Sequence, residues 1–344
     1  MSQLPLRDAI GKSRSVEKQD CQGSRASAAR GCFHLGSGVG SAGFLLFEGF
    51  RAVIVVFGSI NLDLIFSLRN LPQPGQTLLA SGMTMEAGGK GANQALAAAR
   101  DGATVIMAGA VGRDSFADVA LAGLRDAAVD LTRVVRTEAP TGFASIATDQ
   151  AGRNQIIVAS GANMLARADQ VGDDLLTPAT TLVLQMEVAE VETAALIRRA
   201  RAHAARIILN LAPARALDPE ILRMLDILIV NEDEAGWLAA ELAVPGDARS
   251  LQKELGVTVV RTLGAEGAEA AGPLEYWRIP ALKIDAVDST AAGDCFTGVL
   301  AAALDAGRPL PAAMTRAVAA AGLCCTRRGS QASLPSAGEI DRAA

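Results

Sequence analysis

The chain has 344 residues, a formal net charge of −5, and a composition that is 50% hydrophobic but only 3% aromatic. It is long enough to bury a large core as one α/β domain or two smaller ones. The acidic balance argues against nucleic acid as a main partner, and no apolar run reaches the roughly 18 residues that a membrane span needs. The five cysteines form no C-x-x-C pair and there are two histidines, so no zinc site is expected. This composition is typical of a reduced, soluble, cytoplasmic protein.

Residues 1–50 differ in composition from the rest of the chain. They are rich in Ser, Gly, Arg and Gln without a sustained period, so we expect a disordered N-terminal extension before a domain over residues 51–344. They lack the ordered regions of a signal peptide. Gly38-Val-Gly-Ser-Ala-Gly43 matches a dinucleotide-binding pattern, but no strand is predicted before it and no phosphate-binding helix after it. A dinucleotide oxidoreductase, which would bind NAD, is therefore a weak alternative.

The domain begins with Val53-Ile-Val-Val-Phe57, a β-branched run typical of a strand buried on both faces. Residues 64–87 alternate loosely and contain two prolines, which predicts short strands that project from the main body. Further strands are predicted at Thr104–Ala108, Gly142–Thr148, Thr181–Gln185, Arg206–Leu211, Ile227–Val230 and Thr258–Thr262. Helices are predicted at Gln94–Arg100, Phe116–Ala128, Val191–Ala205, Glu232–Glu241, Val299–Leu304 and Pro311–Cys325. This alternation predicts an α/β fold with a doubly wound, mostly parallel sheet and helices on both faces, in which ligands bind beyond the carboxyl ends of the strands.

The most informative segment is Asp288-Ser-Thr-Ala-Ala-Gly-Asp294. A turn of small residues that opens a helix leaves backbone N–H groups unpaired, and with the helix dipole they form an anion site. A bound phosphate would repel Asp294, so its presence favours a chemical role. We expect Asp294 to take a proton from a hydroxyl while the amides hold a phosphoryl group. The alternative is that Asp294 only caps the helix.

Two earlier segments are suited to a hydroxylated ligand. In Gly58-Ser-Ile-Asn-Leu-Asp63, the Asn61 and Asp63 side chains share one face of an extended chain and suit vicinal hydroxyls. The alternative is an Asx turn. Gly88-Gly-Lys-Gly-Ala-Asn93 lacks the Walker spacing, but its glycines allow close approach to a ligand, where Lys90 and Asn93 can donate to hydroxyls. This segment can also be a hinge or a simple turn.

Three later segments follow strands or a helix. Asn231 and Glu234 share one helical face and can hold a hydrated Mg²⁺ beside phosphates; the alternative is an N-cap with acidic residues in the first turn, which is a common arrangement. The glycines of Thr262-Leu-Gly-Ala-Glu-Gly267 permit a turn over a nucleotide. Oxygens of Arg327-Arg-Gly-Ser-Gln-Ala-Ser333 can hold a monovalent cation if they meet Asp288 in space.

Together these segments resemble the ribokinase branch of the phosphofructokinase-B (ribokinase-like) carbohydrate kinase family. The resemblance extends from about Val53 to Pro335. It is carried by seven ordered motifs: Gly58-Ser-Ile-Asn-Leu-Asp63, Gly88-Gly-Lys-Gly-Ala-Asn-Gln94, Gln185-Met-Glu187, Asn210-Leu-Ala-Pro-Ala214, Asn231-Glu-Asp-Glu234, Thr262-Leu-Gly264 and Asp288-Ser-Thr-Ala-Ala-Gly-Asp294.

The resemblance implies a ribokinase-like body with a small β lid, formed by parts of about residues 63–87 and 140–160, which often makes a homodimer contact. Asp294 resembles the general base, and Ala291, Ala292 and Gly293 resemble the anion hole. The sugar site is implied at Asn61, Asp63, Gly89, Lys90, Asn93 and Glu187, with Asp294. ATP binding is implied at Asn231, Glu234, Thr262, Gly264, Gly267 and Gly293, and Mg²⁺ binding, mainly through water, at Asn231 and Glu234. A potassium site is implied at Asp288, Thr290, Gly329 and Ser333.

The activity that this resemblance implies is ATP-dependent phosphorylation of D-ribose at its 5-hydroxyl. One departure is Val318, which aligns where many relatives carry Asn or His near the nucleotide base, so base selection is in question. Kinases of deoxyribose, fructose, 2-keto-3-deoxygluconate or adenosine are the alternatives, and Phe66, Met83 and Met85 are available to cover a nucleoside base. A non-catalytic sugar sensor on the same fold is a further alternative, although the retained Asp294 argues against it.

Overall fold

The structure is a computed structural model that describes residues 52–151 and 153–344. Its strands are β1 (Val53–Phe57), β2 (Asn61–Ser67), β3 (Gly82–Gly88), β4 (Val105–Gly112), β5 (Asp130–Thr137), β6 (Gly142–Thr148), β7 (Asn154–Ala159), β8 (Thr180–Leu184), β9 (Arg206–Asn210), β10 (Ile227–Val230), β11 (Thr258–Thr262), β12 (Ala268–Ala271) and β13 (Tyr276–Ile279). Its α-helices are α1 (Lys90–Arg100), α2 (Ser115–Ala120), α3 (Ala122–Asp126), α4 (Glu190–Ala202), α5 (Pro219–Leu222), α6 (Glu232–Leu242), α7 (Ala248–Leu255), α8 (Ala292–Asp305), α9 (Leu310–Cys325) and α10 (Ala337–Ala343).

Nine of these strands form a central sheet in the order β13-β12-β11-β10-β9-β8-β1-β4-β5. The strands from β11 through β5 pair in parallel, and β12 and β13 add an antiparallel edge. The chain reverses its direction of winding between β1 and its neighbours β4 and β8. In such a sheet the crevice at the carboxyl ends of the strands is the expected ligand site.

The inner strands of the central sheet are buried on both faces, as their β-branched residues predict. Ile54 and Val56 of β1 join a core with α1, α2, α3, α8, α9 and α10. Val55 and Phe57 point to the opposite side, into a core with α4, α5, α6 and α7. Because successive side chains of a strand alternate between faces, this single strand contributes to both cores. The two helical layers fix the position of the sheet's carboxyl edge.

A second sheet of four strands stands apart, in the order β3-β2-β6-β7. Its central pair, β2 and β6, is parallel, and the outer strands are antiparallel to them. Only Gly58, Ser59 and Ile60 separate the end of β1 from the start of β2. The small sheet therefore begins at the carboxyl edge of the central sheet, beside the crevice.

The predicted fold class is confirmed, a mostly parallel sheet with helices on both faces and a small additional sheet. The predicted helix over 116–128 is instead two helices, α2 and α3, in a segment that includes Gly123. Strands β5, β7, β12 and β13 were not predicted. The sequence of β12 is Ala-Glu-Ala-Ala, which has none of the β-branched or aromatic residues that mark a strand.

The expectations for residues 1–50, including the glycine match at Gly38–Gly43, concern residues that lie outside the described part of the chain. In the part of the chain that the structure describes, no helix is long and apolar enough to cross a membrane.

Candidate active site

The amino end of α8 lies at the carboxyl edge of the central sheet. Its N-cap is Ala291, which adopts a left-handed conformation with φ of 60°. The first hydrogen bond into the helix is donated by the N–H of Cys295 to the Ala291 carbonyl at 2.8 Å. The N–H groups of Gly293 and Asp294 belong to the first turn, which has no intrahelical acceptors, whereas Ala292 donates to the Ser289 carbonyl at 3.2 Å. Gly293 is exposed and lines the cleft, so its backbone N–H group is available to a bound anion.

The Asp294 side chain is held by two side-chain amides. Its Oδ2 accepts from Asn93 Nδ2 at 3.0 Å, and its Oδ1 accepts from Gln94 Nε2 at 3.0 Å. The residue is only 7% exposed. No side-chain cap is formed at α8, so the alternative that Asp294 merely caps the helix is wrong. Both carboxylate oxygens therefore accept a hydrogen bond from a neighbouring side chain.

Gln94 belongs to a larger buried network. Its Nε2 also donates to Asn210 Oδ1 at 3.1 Å, and its Oε1 accepts from Gln185 Nε2 at 2.7 Å. Gln185 follows β8 and Asn210 ends β9, so the network joins two strand ends to α1 and α8. These three residues belong to the sequence motifs but were not predicted to have a role. For Gln185 and Asn210, the available signal was their position at the carboxyl ends of parallel strands.

The predicted sugar-site residues surround the β1–β2 turn. Glu187 Oε2 accepts from Ser59 Oγ at 2.6 Å and from the Lys90 N–H at 3.3 Å. Asn61 Oδ1 accepts from Asn163 Nδ2 at 2.6 Å, so this oxygen already has a protein partner. Asn163 carries no local sequence signal, because it lies in a 3₁₀ turn more than a hundred residues from Asn61.

Two of these residues carry unusual charge environments. Burial raises the pKa of Asp63 to about 7, and the nearby carboxylates of Glu187, Glu86 and Asp294 act in the same direction. Glu86 is directly opposite Asp63 across the β2–β3 pair. The Asp294 carboxylate raises the pKa of the Lys90 ammonium, in spite of an opposing effect of burial. The pocket thus places one cation among several carboxyl groups.

Gly89 and Asn93 complete the sugar side. Gly89 is the N-cap of α1 with φ of 90°, and a Cβ there would lie 2.7 Å from the Asn61 nitrogen, so only glycine fits. Asn93 is 5% exposed. Its Nδ2 binds Asp294, and in the described part of the chain nothing donates to its buried Oδ1. This acceptor is suited to a hydroxyl of a bound ligand.

A cleft of about 220 Å³ connects Asp294 to the start of α6, and Lys90, Gly293 and Thr262 also line it. Asn231 caps α6: its Oδ1 accepts from the Glu234 N–H at 2.7 Å, and Glu234 Oε2 accepts from the Asn231 N–H at 2.9 Å. Burial raises the pKa of Glu234, against the effects of that hydrogen bond and of Lys90. The capping interpretation is therefore correct for this pair, and the same two residues also face the cleft.

A larger cavity of about 1250 Å³ adjoins this cleft and shares Asn231, Thr262, Ser289 and Gly293 with it. Gly264 and Gly267 lie at its edge, and Val318 of α9 forms part of its wall. The neighbouring wall residues are apolar, and they include Pro280, Leu282, Ile284 and Phe296. A Cβ at Gly267 would overlap the Ile279 carbonyl oxygen, so glycine is required there. The cavity is large enough for a nucleoside, which would be covered mainly by apolar surface.

The two segments suggested for a monovalent cation meet in space. Asp288 Oδ1 accepts from the N–H of Thr290 at 2.9 Å and from its hydroxyl at 2.6 Å, and Oδ2 accepts from the Gly329 N–H at 3.1 Å. These bonds lower the pKa of Asp288, although burial opposes them. The Cys324 thiol lies between Ser333 Oγ, at 3.0 Å, and the Thr290 carbonyl, at 3.6 Å. The segment also contacts the small sheet, since the Ser330 N–H donates to Glu86 Oε2 at 3.3 Å.

Comparison with known proteins gives the class of this protein. Residues 51–337 match the family described as pfkB family carbohydrate kinase. This match covers most of the chain, and the doubly wound body with its small sheet agrees with it. The chain belongs to the pfkB family of carbohydrate kinases, and it is an ATP-dependent sugar kinase.

Individual relatives narrow the resemblance to one branch. The chain is 34% identical over 300 residues to a ribokinase of Staphylococcus aureus, covering 84% of this chain and 98% of that protein. It is 33% identical to a deoxyribokinase of Salmonella typhi, over 82% of this chain and 95% of that protein. Among solved structures, a ribokinase from Thermotoga maritima superposes with a TM-score of 0.79 at 32% identity, covering 85% of this chain and 99% of that one. A ribokinase of Arabidopsis thaliana complexed with ribose and ATP superposes with a TM-score of 0.77 at 28% identity, covering 85% of this chain and 98% of that one.

Proposed function

We propose that this protein transfers the γ-phosphoryl group of ATP to the 5-hydroxyl of D-ribose, giving D-ribose 5-phosphate and ADP. The observation that carries the proposal is the Asp294 carboxylate, which is buried, held through both oxygens by Asn93 and Gln94, and located in the first turn of α8. A base in this position can receive a hydroxyl proton beside amides that offset phosphoryl charge. The similarity to several ribokinases supports ribose as the sugar.

The sugar is proposed to bind between the small sheet and α1, at Asn61, Asp63, Gly89, Lys90, Asn93 and Glu187. Asp63 and Glu187 are the acceptors for vicinal hydroxyls, and the unpaired Asn93 Oδ1 supplies one more. Asn93 touches both this pocket and Asp294, so it aligns the sugar with the base. The phosphoryl-accepting hydroxyl then lies next to Asp294.

The reaction is an in-line transfer in which Asp294 accepts the proton of the attacking hydroxyl. The hydroxyl oxygen forms a bond to the γ-phosphorus while the bond from that phosphorus to the bridging oxygen of ADP breaks. The N–H groups of Ala291 and Gly293 and the Lys90 ammonium offset the charge on the transferring group, whereas the Ala292 N–H that was predicted for the anion hole donates to the Ser289 carbonyl. General-base assistance of this kind contributes roughly 10²- to 10⁴-fold in rate.

ATP is proposed to lie along the cleft and the adjoining cavity. Its phosphates extend from Gly293 past Asn231 and Glu234, and its base lies between Thr262, Gly264, Gly267 and the wall that includes Val318. Glu234 has one carboxylate oxygen committed to the Asn231 amide, which leaves the other for a hydrated metal. Mg²⁺ held there, mainly through water, would neutralise phosphate charge.

The loops at Asp288, Thr290, Gly329 and Ser333 are proposed to hold an activating K⁺. The Asp288 carboxylate, with its lowered pKa, is a hard anionic oxygen donor near further carbonyl and hydroxyl oxygens. K⁺ bound there would stabilise the turn that leads into α8. The oxygens present in this region therefore fit an alkali cation.

The small sheet is proposed to act as a lid and to pair with the lid of a second copy in a homodimer. Large apolar side chains are exposed on both of its faces: the strand pairing places Met83, Met85 and Ile157 on one face, and Ile156 and Val158 on the face that carries Asp63. The exposed apolar group on the face away from Asp63 is typical of an interaction surface. We place the enzyme in the cytoplasm, where ATP is available and where the free thiols of Cys295, Cys324 and Cys325 remain reduced.

A deoxyribose kinase is the second candidate, favoured by the similarity to the Salmonella typhi deoxyribokinase. The test is coupled ADP release with ATP, Mg²⁺ and K⁺ across ribose, deoxyribose, fructose, 2-keto-3-deoxygluconate and adenosine. We expect ribose to give the highest kcat/KM, with a KM below about 1 mM. A higher kcat/KM with another compound of this panel would identify that compound as the preferred substrate. Sugar binding without turnover of any of the five compounds would support the sensor alternative.

A further inference from the structure

We infer that Gln94 is a positioning residue for the reaction: its side-chain amide donates to Asp294 and fixes the direction of that carboxylate. This inference rests on the proposed role of Asp294 as the base. The supporting geometry is a continuous chain of buried side chains, Gln185 to Gln94 to Asp294, with Asn210 as a branch. Gln94 and Gln185 are both 0% exposed.

The direction of the Gln94 amide is fixed from both ends. Its NH₂ group faces two acceptors, Asp294 Oδ1 at 3.0 Å and Asn210 Oδ1 at 3.1 Å. Its oxygen faces the NH₂ group of Gln185 at 2.7 Å. A flipped amide would place an oxygen against a carboxylate and a second acceptor, and it would leave the Gln185 donor unpaired. With Asp294 as the acceptor, the consistent orientation is the one in which the Gln94 NH₂ group donates to Asp294, while Gln185 Oε1 has no partner among the described residues.

The backbone around Gln185 is adapted to this network. A Cβ at Gly58 would overlap Gln185 Oε1, so glycine at the end of β1 leaves room for that side chain. Gln185 and Asn210 extend from the carboxyl ends of two neighbouring strands, β8 and β9. The amide of Gln94 is thereby bound to the ends of two strands whose side chains pack into the cores on both faces of the central sheet. Asp294 receives its orientation from that anchor.

Gln94 acts through Asp294 and not on the ligand. It is fully buried and does not line the cleft, whereas Lys90, Asn210 and Asp294 do. Asn93, the other residue that binds Asp294, has an oxygen free for a hydroxyl and so contributes to binding as well. Removal of the Gln94 donor should therefore change kcat with little effect on KM.

Other charges around Asp294 must be considered in any test by pH. The groups that face it from the surrounding elements are Lys90 from α1, Asp63 from β2, Glu234 from α6, Cys295 from α8 and Cys324 from α9. None of these side chains is replaced by a substitution at Gln94, but a new carboxylate at that position also acts on their pKa values. A change in the pH profile that occurs in Gln94→Glu and not in the uncharged Gln94→Met therefore reports on the charge placed beside Asp294.

The decisive variant is Gln94→Glu, which keeps the shape of the side chain but replaces the donor with a carboxyl oxygen. Two carboxyl groups 3.0 Å apart cannot both ionise readily, so they share one proton. We expect the acid limb of the kcat profile to move up by about two pH units or more, with activity recovering at high pH. The matched control is Gln170→Glu, because Gln170 donates to the carbonyls of Gly109 and Arg133 away from the site. Its acid limb should stay where it is.

A second variant, Gln94→Met, removes the donor without adding a charge. Loss of a hydrogen bond to a charged group should lower kcat about 10- to 100-fold, while KM for ribose and ATP stays within about threefold. An unmoved acid limb in a folded Gln94→Glu protein, or normal kcat in Gln94→Met, would overturn the inference. If Gln94→Glu does not fold, the kcat of Gln94→Met alone tests the positioning role of Gln94. Asp294→Asn, measured in parallel, tests the role of Asp294 as the base: if that variant stays active, the base assignment is wrong.

Discussion

The sugar half and the nucleotide half of the site are built in different ways. Around Asp294 the walls consist of buried amides and carboxyl groups that bind one another, with Asn93 and Gln94 each at 3.0 Å from the carboxylate. The cavity next to Val318, at about 1250 Å³, is several times larger than the cleft of about 220 Å³ beside Asp294. It is lined mainly by apolar side chains and by the glycine turn at Gly264 and Gly267. The sugar half therefore holds individual polar atoms in place by hydrogen bonds, whereas the nucleotide half binds mainly through the shape of an apolar surface.

This difference has consequences for the chemistry. A hydrogen-bonded network holds each atom in one place, so removal of a single polar atom should have a large and specific effect. An apolar cavity binds by area, so single substitutions there should have small effects that are spread over many ligands. The enzyme is thus expected to be strict about its reacting hydroxyl and permissive about its nucleotide base.

The largest effect is expected for Asp294→Asn. This change keeps the shape of the side chain but removes the proton acceptor, so we expect kcat to fall about 10²- to 10⁴-fold. Ribose binding, measured by calorimetry, should survive within a few-fold, because Asn93 and Asp63 remain. A kcat near that of the wild type would show that the buried half does not supply the base.

A smaller but still large effect is expected for Asp63→Asn. The amide accepts fewer hydroxyl hydrogen bonds, so KM for ribose should rise about tenfold or more, with kcat changed less. An unchanged KM would remove Asp63 from the sugar site.

The same variant should be more stable than the wild type at pH 8. Asp63 binds its proton more tightly in the folded protein, where its pKa is raised from 3.8 to about 7, than in the unfolded chain. Ionisation of Asp63 across that interval therefore lowers the free energy of unfolding of the wild type as pH rises. Asn has no such proton, so thermal melts at pH 8 should give a higher Tm for Asp63→Asn. Equal Tm values for the two proteins at pH 8 would mean that ionisation of Asp63 does not destabilise the folded wild type.

The pH dependence of sugar binding should be intermediate in size. Ribose is expected to bind ionised Asp63, so below a pH of about 7 binding must release a proton and KM should rise as pH falls. Glu86→Gln removes one of the carboxylates that raise this pKa, while its side-chain oxygen can still accept from Ser330. The rise in KM should then begin at lower pH in that variant. Identical profiles of ribose KM between pH 5.5 and 8.5 would contradict the coupling.

The smallest effect is expected for nucleotide selection. With Val318 in the wall, kcat/KM for ATP and GTP should lie within about tenfold of each other. Val318→Asn adds one group that can hydrogen-bond a base, which should change the ATP/GTP ratio about fivefold. Val318→Ala is the control, since it alters volume without polarity and should affect both nucleotides in parallel. Strict ATP use by the wild type would show that the cavity selects its base by other groups.

The sequence predicted the parts of this molecule that depend on local pattern. The β-branched runs of β1 and β10 and the turn before α8 could be identified from residue type alone, and the rule for parallel sheets placed the motifs at one edge. The weak strand β12 was not recognisable, because its residues are mostly alanine. Asn231 and Glu234 illustrate an ambiguity that sequence could not resolve, since the same residues both cap α6 and face the cleft.

The relationships that join distant segments were beyond sequence reasoning. The bond of Asn163 to Asn61 spans 102 residues, and that of Gln94 to Asp294 spans 200. Neither partner predicts the other locally, because the contact is set by how helices pack on the sheet. Glu86 is another example, since only strand pairing places it opposite Asp63 and beside the Ser330 loop.

The most direct test of the central proposal is proton-coupled ³¹P NMR of the product formed from ribose and ATP. Transfer to the primary 5-hydroxyl creates a phosphate ester next to a CH₂ group, so the new phosphorus signal should be a triplet, absent when Asp294→Asn replaces the wild type. A doublet would show transfer to a secondary or anomeric hydroxyl. Release of inorganic phosphate without a sugar ester would contradict the proposed sugar kinase activity.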